Sequence, residues 1–512
     1  MSTRKLSRRQ FLIGLAGATV TLASCSSNRI TGVVNRFRKP PSIHLQEFSS
    51  VDDAETYDVC IIGSGPAGAI LGLDLVANGL RTIILESGLN FENSAADERI
   101  GKLEIYKNTG EIKYPIASSR ARALGGTSNL WTGRCSRLHP IDFEQNAYTP
   151  EGAGWPFTYD EIEPYYAKAE QTLRVTGRPL SKYHAPRQEP LPFEGKNDFS
   201  ALQKLMDKVG VVVDDSPSSV SAYSNQGPMR AAIDLLPELT KSDLATLISG
   251  VTATKLIADA DGTINGVEVQ SLDKETEIIR ARNYVVACGA LESARLLLLS
   301  KSDAFPNGIG NDNDLVGRYF NEHPSLILSG EIPVDQPPPS YQLGRSHQYY
   351  DQFKEEGFGS PILVFYWDPK KANELQIGAT LEMQPLPENQ VLLDPEQKDY
   401  FGNSVTNLQF DYSEKDLATL EKTRLLIKEF FDGLGGSLGD AEDVIHWSHH
   451  HIGTCRMGND PLTSVLDSNL RVHTSPNLYV LGSAAFVTGG AAHPTLAITA
   501  LTHRLADHLI AV

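Results

Sequence analysis

At 512 residues the chain exceeds what one hydrophobic core usually organises, and 41% hydrophobic against 21% charged residues marks a globular rather than a disordered polypeptide. Its formal charge of −17 becomes −21 once the first twenty-four residues, carrying Arg4, Lys5, Arg8 and Arg9 and no acid, are left out. That balance excludes nucleic acid as the natural partner.

The amino terminus reads as a targeting segment. Ser7-Arg-Arg-Gln-Phe-Leu12 has the form of a twin-arginine signal and runs into an apolar, Gly/Ala-rich stretch, Phe11 to Ala23, too short to span a bilayer. Leu22-Ala-Ser-Cys25 then resembles a bacterial lipobox. Residues 1–25 are therefore expected to be a signal peptide. The expectation is export by the twin-arginine route to the periplasm or cell envelope and attachment to the membrane by lipid on Cys25; ordinary cleavage beside an incidental cysteine is the alternative. Residues 26–54, with Pro-Pro and serine clusters, suit a linker.

The folded body opens with a strand at Asp58–Ile62, a glycine turn, a helix from Pro66 to about Asn78 stopped by Gly79, and a second strand ending at Glu86. Helices are expected near 160–175 and 199–210. Two strands flank the Asp261-Gly262 turn, and a strand leads into a helix around Cys288. Residues 321 to about 414 alternate in short apolar stretches and read as mostly β. Helices are expected again near 413–434 and from about Thr495 to Ile510. The cysteines Cys60, Cys135, Cys288 and Cys455 are widely spaced, with no ligand pattern for zinc, so no metal site is expected. They read as free buried thiols, although spacing does not exclude a disulfide.

Three elements carry chemistry. Gly63-Ser64-Gly65-Pro66-Ala67-Gly68 sits between strand and helix. There the first glycine permits the turn, the second admits a pyrophosphate, and the third lets helix pack on strand; Glu86, followed by Ser87, ends the next strand where an acid accepts from a ribose diol. Arg122 to Arg134 is a second glycine-rich element. Ser448-His449-His450-His451 places three imidazoles before Gly453-Thr454, and an extended run would turn His450 to one face and its two neighbours to the other.

These segments, with Cys288–Ser300 and Asn477–Leu501, resemble in order the glucose-methanol-choline (GMC) flavoprotein oxidoreductases, from about Tyr57 to the carboxy terminus. The resemblance implies an α/β protein with a Rossmann-type FAD-binding domain built from discontinuous segments (55–150, 225–320 and 446–512) and a mostly β substrate domain backed by helices (151–224 and 321–445). It implies FAD held by Gly63, Ser64, Gly65, Pro66, Ala67, Gly68, Glu86 and Ser87, with the backbone of Ala253 at the adenine. Gly125, Gly126, Thr127, Asn129, Leu130 and Trp131 run beside the flavin, and Gly482, Ser483, Pro494 and Thr495 line its pyrimidine side. Leu130 stands where some pyranose-oxidising relatives carry a flavin-linked histidine, so the FAD is expected to be noncovalent. Gly482 stands where many members have aspartate.

The resemblance also chooses among the three imidazoles. The family's catalytic histidine lies three residues before the Gly-Thr glycine, at His450, and its second position falls on His493. The implied reaction takes the hydroxyl proton of a sugar or glycoside secondary alcohol onto His450 as hydride passes to flavin N5. A quinone, a cytochrome or O2 would take the electrons, with a dehydrogenase favoured over an oxidase. A non-sugar alcohol is the alternative, and a noncatalytic flavin- or carbohydrate-binding lipoprotein the reading from another class.

Overall fold

A parallel strand covered by helices on both faces must be apolar nearly throughout, and Tyr-Asp-Val-Cys-Ile-Ile meets that demand. In the computed structural model, which describes residues 41–50, 56–223, 227–439 and 445–512, this segment is β1 (Thr56–Ile62). It pairs in parallel with β2 (Thr82–Glu86) on one side and with β6 (Thr276–Val286) on the other. The helix α1 (Pro66–Ala77) connects β1 to β2, the crossover that a parallel pair requires. The first sheet runs β3 (Ala245–Ser249), β2, β1, β6, β5 (Ile264–Ser271), β4 (Val251–Ala258), and a late strand, β11 (Leu478–Val480), pairs with β6. β6 serves three neighbours: Thr276–Ile279 run antiparallel to β5, Arg280–Val286 run parallel to β1, and Tyr284–Val286 also pair in parallel with β11. Thus residues near 60, 85, 250, 285 and 480 come together although they are far apart in sequence. The helix α3 (Gly289–Leu299) leaves the end of β6.

The second sheet is antiparallel, in the order β8 (Gln342–Ser346), β9 (Pro361–Trp367), β10 (Glu374–Leu381), β7 (Pro324–Glu331), extended by the short strands Ser437–Leu438 and His446–Trp447. Alternation divides its residues. Leu326, Leu328, Leu363, Phe365, Trp367, Leu375 and Ile377 pack with Leu420, Ile427, Phe430 and Phe431 of α4 (Glu414–Gly433). The opposite face carries Ser325, Ile327, Arg345, Val364, Tyr366, Gln376 and Gly378, placed by the pairings Arg345↔Val364, Tyr366↔Gln376 and Ile327↔Gly378.

Differences from the sequence reading are instructive. The predicted helix near 160–175 is α2 (Tyr159–Thr172), capped by Thr158 and Glu161. Its Tyr159, Ile162, Tyr166 and Ala169 join the same core as Leu496, Leu501 and Leu505 of α5 (Pro494–Ala511). Residues 41–50, read as the end of a tether, lie along the sheet edge: Gln46 N donates to Leu247 O at 3.0 Å and Ile43 packs on the core. That contact covers the edge strand β3. The signal, Cys25 and the rest of the linker lie outside the described residues. The four other cysteines are free, Cys288 half-buried and the others buried.

Candidate active site

The glycine loop is built for a ligand on one side only. Gly63 has φ +111°, and a Cβ there would lie 2.5 Å from Ala287 O; one on Gly68 would lie 2.0 Å from Gly63 O. Neither can be replaced without moving backbone. Gly65 differs, because a Cβ on it would meet nothing within 4 Å. It caps α1 without a side-chain hydrogen bond, leaving the first amides of a twelve-residue helix pointed at open space, as a pyrophosphate requires. Gly126 comes close to Gly65 from the second glycine-rich element, its hypothetical Cβ being 3.1 Å from Gly65 Cα. Gly125 N donates to Ser64 Oγ at 3.2 Å, which joins the two elements. Asn129 ties its own turn through Leu124 O and Gly126 O, Thr127 Oγ1 accepts from Ala121 N, and Trp131 Nε1 donates to Met229 O. Leu130 points outward.

Glu86 is buried at the end of β2. Its Oε2 accepts from Ser64 N (3.0 Å) and Ser64 Oγ (2.7 Å), and its Oε1 from Gly88 N (2.8 Å). Burial raises its carboxyl, opposed by those hydrogen bonds and by Arg122. The remaining lone pairs on Oε1 suit a diol. Ser87 Oγ meets Thr252 Oγ1 at 2.6 Å, which places the neighbouring Ala253 beside the same strand ends.

The histidine run sorts as alternation predicts, although His449 has a left-handed φ of +61° and the run is not a regular strand. His449 and His451 both meet the edge of Tyr114, with ring centroids 6.3 and 5.5 Å away. His451 Nε2 also lies 2.8 Å from Ser119 Oγ. His450 turns the other way and faces His493, ring centroids 5.0 Å apart at 68°. The two segments are sewn together by backbone: Gly453 N donates to Ser483 O, Cys455 N to Ala484 O, and Ser483 Oγ to His451 O. Gly482 has φ +131° with open space at its Cβ position, and His493 caps α5, whose Pro494 and Thr495 begin an eighteen-residue helix without a side-chain cap.

Two residues the sequence reading did not single out stand behind His450. Glu322 Oε1 accepts from His450 N, and His323 Nδ1 lies 2.9 Å from His450 Nδ1. Both are fully buried just before β7. Burial pushes Glu322 up to about 8 and His323 down to about 4. His450 is held well below its ordinary value by burial and then by the neighbouring imidazoles and Arg345; His493 by burial and then by Arg345, His450 and His323. Neutral imidazoles are thereby favoured through the neutral range, the state in which a histidine accepts a proton. The pair Nδ1···Nδ1 requires one ring to donate. If His450 donates, its Nε2 is the unprotonated nitrogen on the side of His493.

The sequence signal for Glu322 and His323 is only the polar tripeptide Asn-Glu-His immediately ahead of an apolar strand, which by itself names no chemistry. A buried network steadies the far side of the site. Lys354 pairs with Asp142 and with Glu382, Tyr350 OH donates to Asp142 Oδ2 at 2.8 Å, and Ala491 N donates to Tyr350 OH at 3.0 Å, two residues from His493.

Family models of the GMC oxidoreductases match residues 57–325 and 385–502. The chain belongs to the GMC oxidoreductase family. It is 25% identical to the fructose dehydrogenase large subunit of Gluconobacter japonicus, over 88% of this chain and 97% of that one. It is 28% identical to the 6'''-hydroxyparomomycin C oxidase of Streptomyces lividus, over 89% and 92%. The crystal structure of formate oxidase superposes with a TM-score of 0.65 at 16% identity, covering 90% of this chain and 99% of that one, which is agreement in fold. As a GMC oxidoreductase the protein is an FAD-dependent enzyme acting on CH–OH donors, in a family whose members act on sugars, glycosides and alcohols. The open cradle at Gly65, the uncapped amides of α1 and α5 and the open approach at Gly482 fit that cofactor.

Proposed function

We propose that this GMC oxidoreductase oxidises a secondary alcohol of a sugar or glycoside to the ketone, with His450 as the base. The observation that carries this reading is the facing pair His450–His493, centroids 5.0 Å apart, with His450 Nδ1 held by His323. FAD, when bound, supplies the acceptor for the carbinol hydride. The chain's own residues manage the proton. His323 accepts from His450 Nδ1–H, which leaves Nε2 of His450 unprotonated to take the hydroxyl proton. His493 hydrogen-bonds the same oxygen and holds the carbon in place. The low affinity of both rings for protons keeps them neutral, so the base is available without a pH adjustment.

A sugar is supported by relatives named for fructose, for a hydroxyparomomycin and for C-glycosides. A relative named for 2-methyl-1,2-propanediol supports the second reading, a non-sugar alcohol. Leu130, with no imidazole to offer, supports noncovalent FAD. The twin-arginine and lipobox sequences support export and attachment through Cys25, and that location favours a dehydrogenase passing electrons to a quinone or cytochrome over one using O2. The division into a nucleotide domain (55–150, 225–320, 446–512) and a substrate domain (151–224, 321–445) belongs to the same reading.

Anaerobic mixing of the purified yellow protein with sugars, glycosides and simple alcohols tests it. Bleaching of the flavin by carbohydrate secondary alcohols is expected. Bleaching by aliphatic alcohols alone moves the assignment to the second reading, and no bleaching by any alcohol overturns both.

A further inference from the structure

The second sheet delivers to this site a cation that no described acid neutralises. Arg345 lies on the β8 face turned away from the α4 core and is 4% exposed. Its Nε and Nη1 are enclosed and have no hydrogen-bond partner, and no carboxylate among the described residues forms an ion pair with it. Three other buried arginines are paired with acids: Arg137 with Glu163 and Glu170, Arg122 with Glu292, Arg295 with Glu292 and Asp399. Arg345 has no such partner; Arg456, also buried without an acid, instead donates to Thr463 O and stacks on Tyr319. On the sheet face that carries Arg345, Ser325 Oγ meets Ser448 Oγ at 2.7 Å, two residues from His450, and the charge of Arg345 helps to lower both His450 and His493.

A second guanidinium adds to it. Arg134 ends the glycine-rich segment and donates through Nη1 to the neutral oxygens Ser216 Oγ (2.9 Å) and Ser218 Oγ (3.1 Å). Burial and the charge of Arg134 push Arg345 down to about 9. The hydroxyl of Tyr366, on the adjacent strand and the same face, also acts on Arg345. Two cations converging without an anion are costly in a low-dielectric site unless a ligand brings the missing charge.

We propose that Arg345, supported by Arg134, receives the carboxylate of the substrate, so that the alcohol oxidised at His450 and His493 belongs to a sugar acid or related polyhydroxy acid. This rests on the oxidation proposed above and names its substrate class. The arginines fix the acid end, and the carbinol carbon to be oxidised is then selected by its distance from that carboxylate. A neutral sugar would leave the guanidinium unpaired, so discrimination comes from a penalty on the neutral ligand as much as from attraction of the acid.

The test uses the holoenzyme with matched ligands: glucose against gluconate and glucuronate, followed by anaerobic flavin bleaching. Acetate serves as a nonreactive probe, followed by its perturbation of the bound flavin spectrum and its competition with substrate. The acids are expected to bleach the flavin with kcat/KM at least about tenfold above glucose, and acetate to compete. Arg345→Met should raise KM for the acids on the order of 10²-fold, with a much smaller change for glucose, and abolish acetate competition. Arg345→Lys should restore part of both. Without ligand, Arg345→Met should unfold at the same or a higher temperature, because it removes an unpaired buried charge. Should that variant fail to fold, Arg345→Lys and acetate binding to the parent protein still decide. Equal kcat/KM for acid and neutral sugar, with acetate inert, overturns the proposal and leaves the oxidation reading intact. Failure of every alcohol to bleach the flavin removes that reading, while acetate binding still reports on Arg345.

Discussion

Glu322→Gln isolates the carboxyl behind His450. The carboxyl is fully buried, its Oε1 accepts from the backbone of His450, and Oε2 has no partner. Burial raises it to about 8 from an ordinary 4.5, so the folded protein keeps this proton through the neutral range. Below pH 4.5 the group is protonated folded and unfolded and contributes nothing. Between 4.5 and 8 the unfolded chain releases the proton and the folded chain does not, so this group lowers stability as pH rises, and the loss is complete above its folded value. At about 1.4 kcal/mol per pH unit, the full interval amounts to about 5 kcal/mol. Glutamine keeps the shape and the accepting oxygen but has no proton to lose. Unfolding midpoints of parent and variant, measured together between pH 5 and 9, should therefore diverge: the variant gains on the parent with each unit up to pH 8 and runs parallel beyond it. Parallel curves across the whole range would refute the buried, protonated Glu322.

Three further outcomes follow from the same geometry. Gly65→Ala has room for its methyl and a compatible φ of −62°, so it should fold with parent stability yet lose FAD content, whereas Gly68→Ala, whose Cβ would lie 2.0 Å from Gly63 O, should lose both; bound flavin per chain and unfolding temperature separate the two. The rate of flavin reduction should stay level from pH 8 to pH 6 and fall only in more acidic solution, because burial and neighbouring charges hold His450 well below its ordinary 6.5 and protonation removes the base; a rate that halves near pH 6.5 would contradict this. His449→Ala, which trims a ring packed on Tyr114, should leave flavin reduction within about threefold of the parent while costing about 1 kcal/mol in stability.

What was legible in the sequence was what local chemistry encodes. β1, the glycine turn, α1 and β2 announce themselves because the glycines keep a recognisable spacing between strand and helix and Val59–Ile62 and Thr82–Glu86 are buried throughout. α4 was legible from its Ser413 cap. His450 was separable from its neighbours because a side-to-side sorting of consecutive residues survives even the left-handed turn at His449. What escaped depends on contacts between distant segments. Nothing local marks Arg345 as lacking an acid, since its isolation is defined by what β9, the 134 loop and the histidine segment place around it. Glu322 and His323 fall in the stretch read as mostly β and carry no motif of their own; only the folded chain brings them against His450. Residues 41–50 read as linker because their composition is polar, yet their backbone joins an otherwise open sheet edge.

The most direct measurement of the central claim is anaerobic stopped-flow reduction of the bound flavin in His450→Ala beside the parent, at matched FAD content and saturating substrate. If Nε2 of His450 takes the hydroxyl proton, the limiting rate falls about 10²- to 10⁴-fold with the flavin still bound. A variant that reduces its flavin at the parent rate would place the base elsewhere.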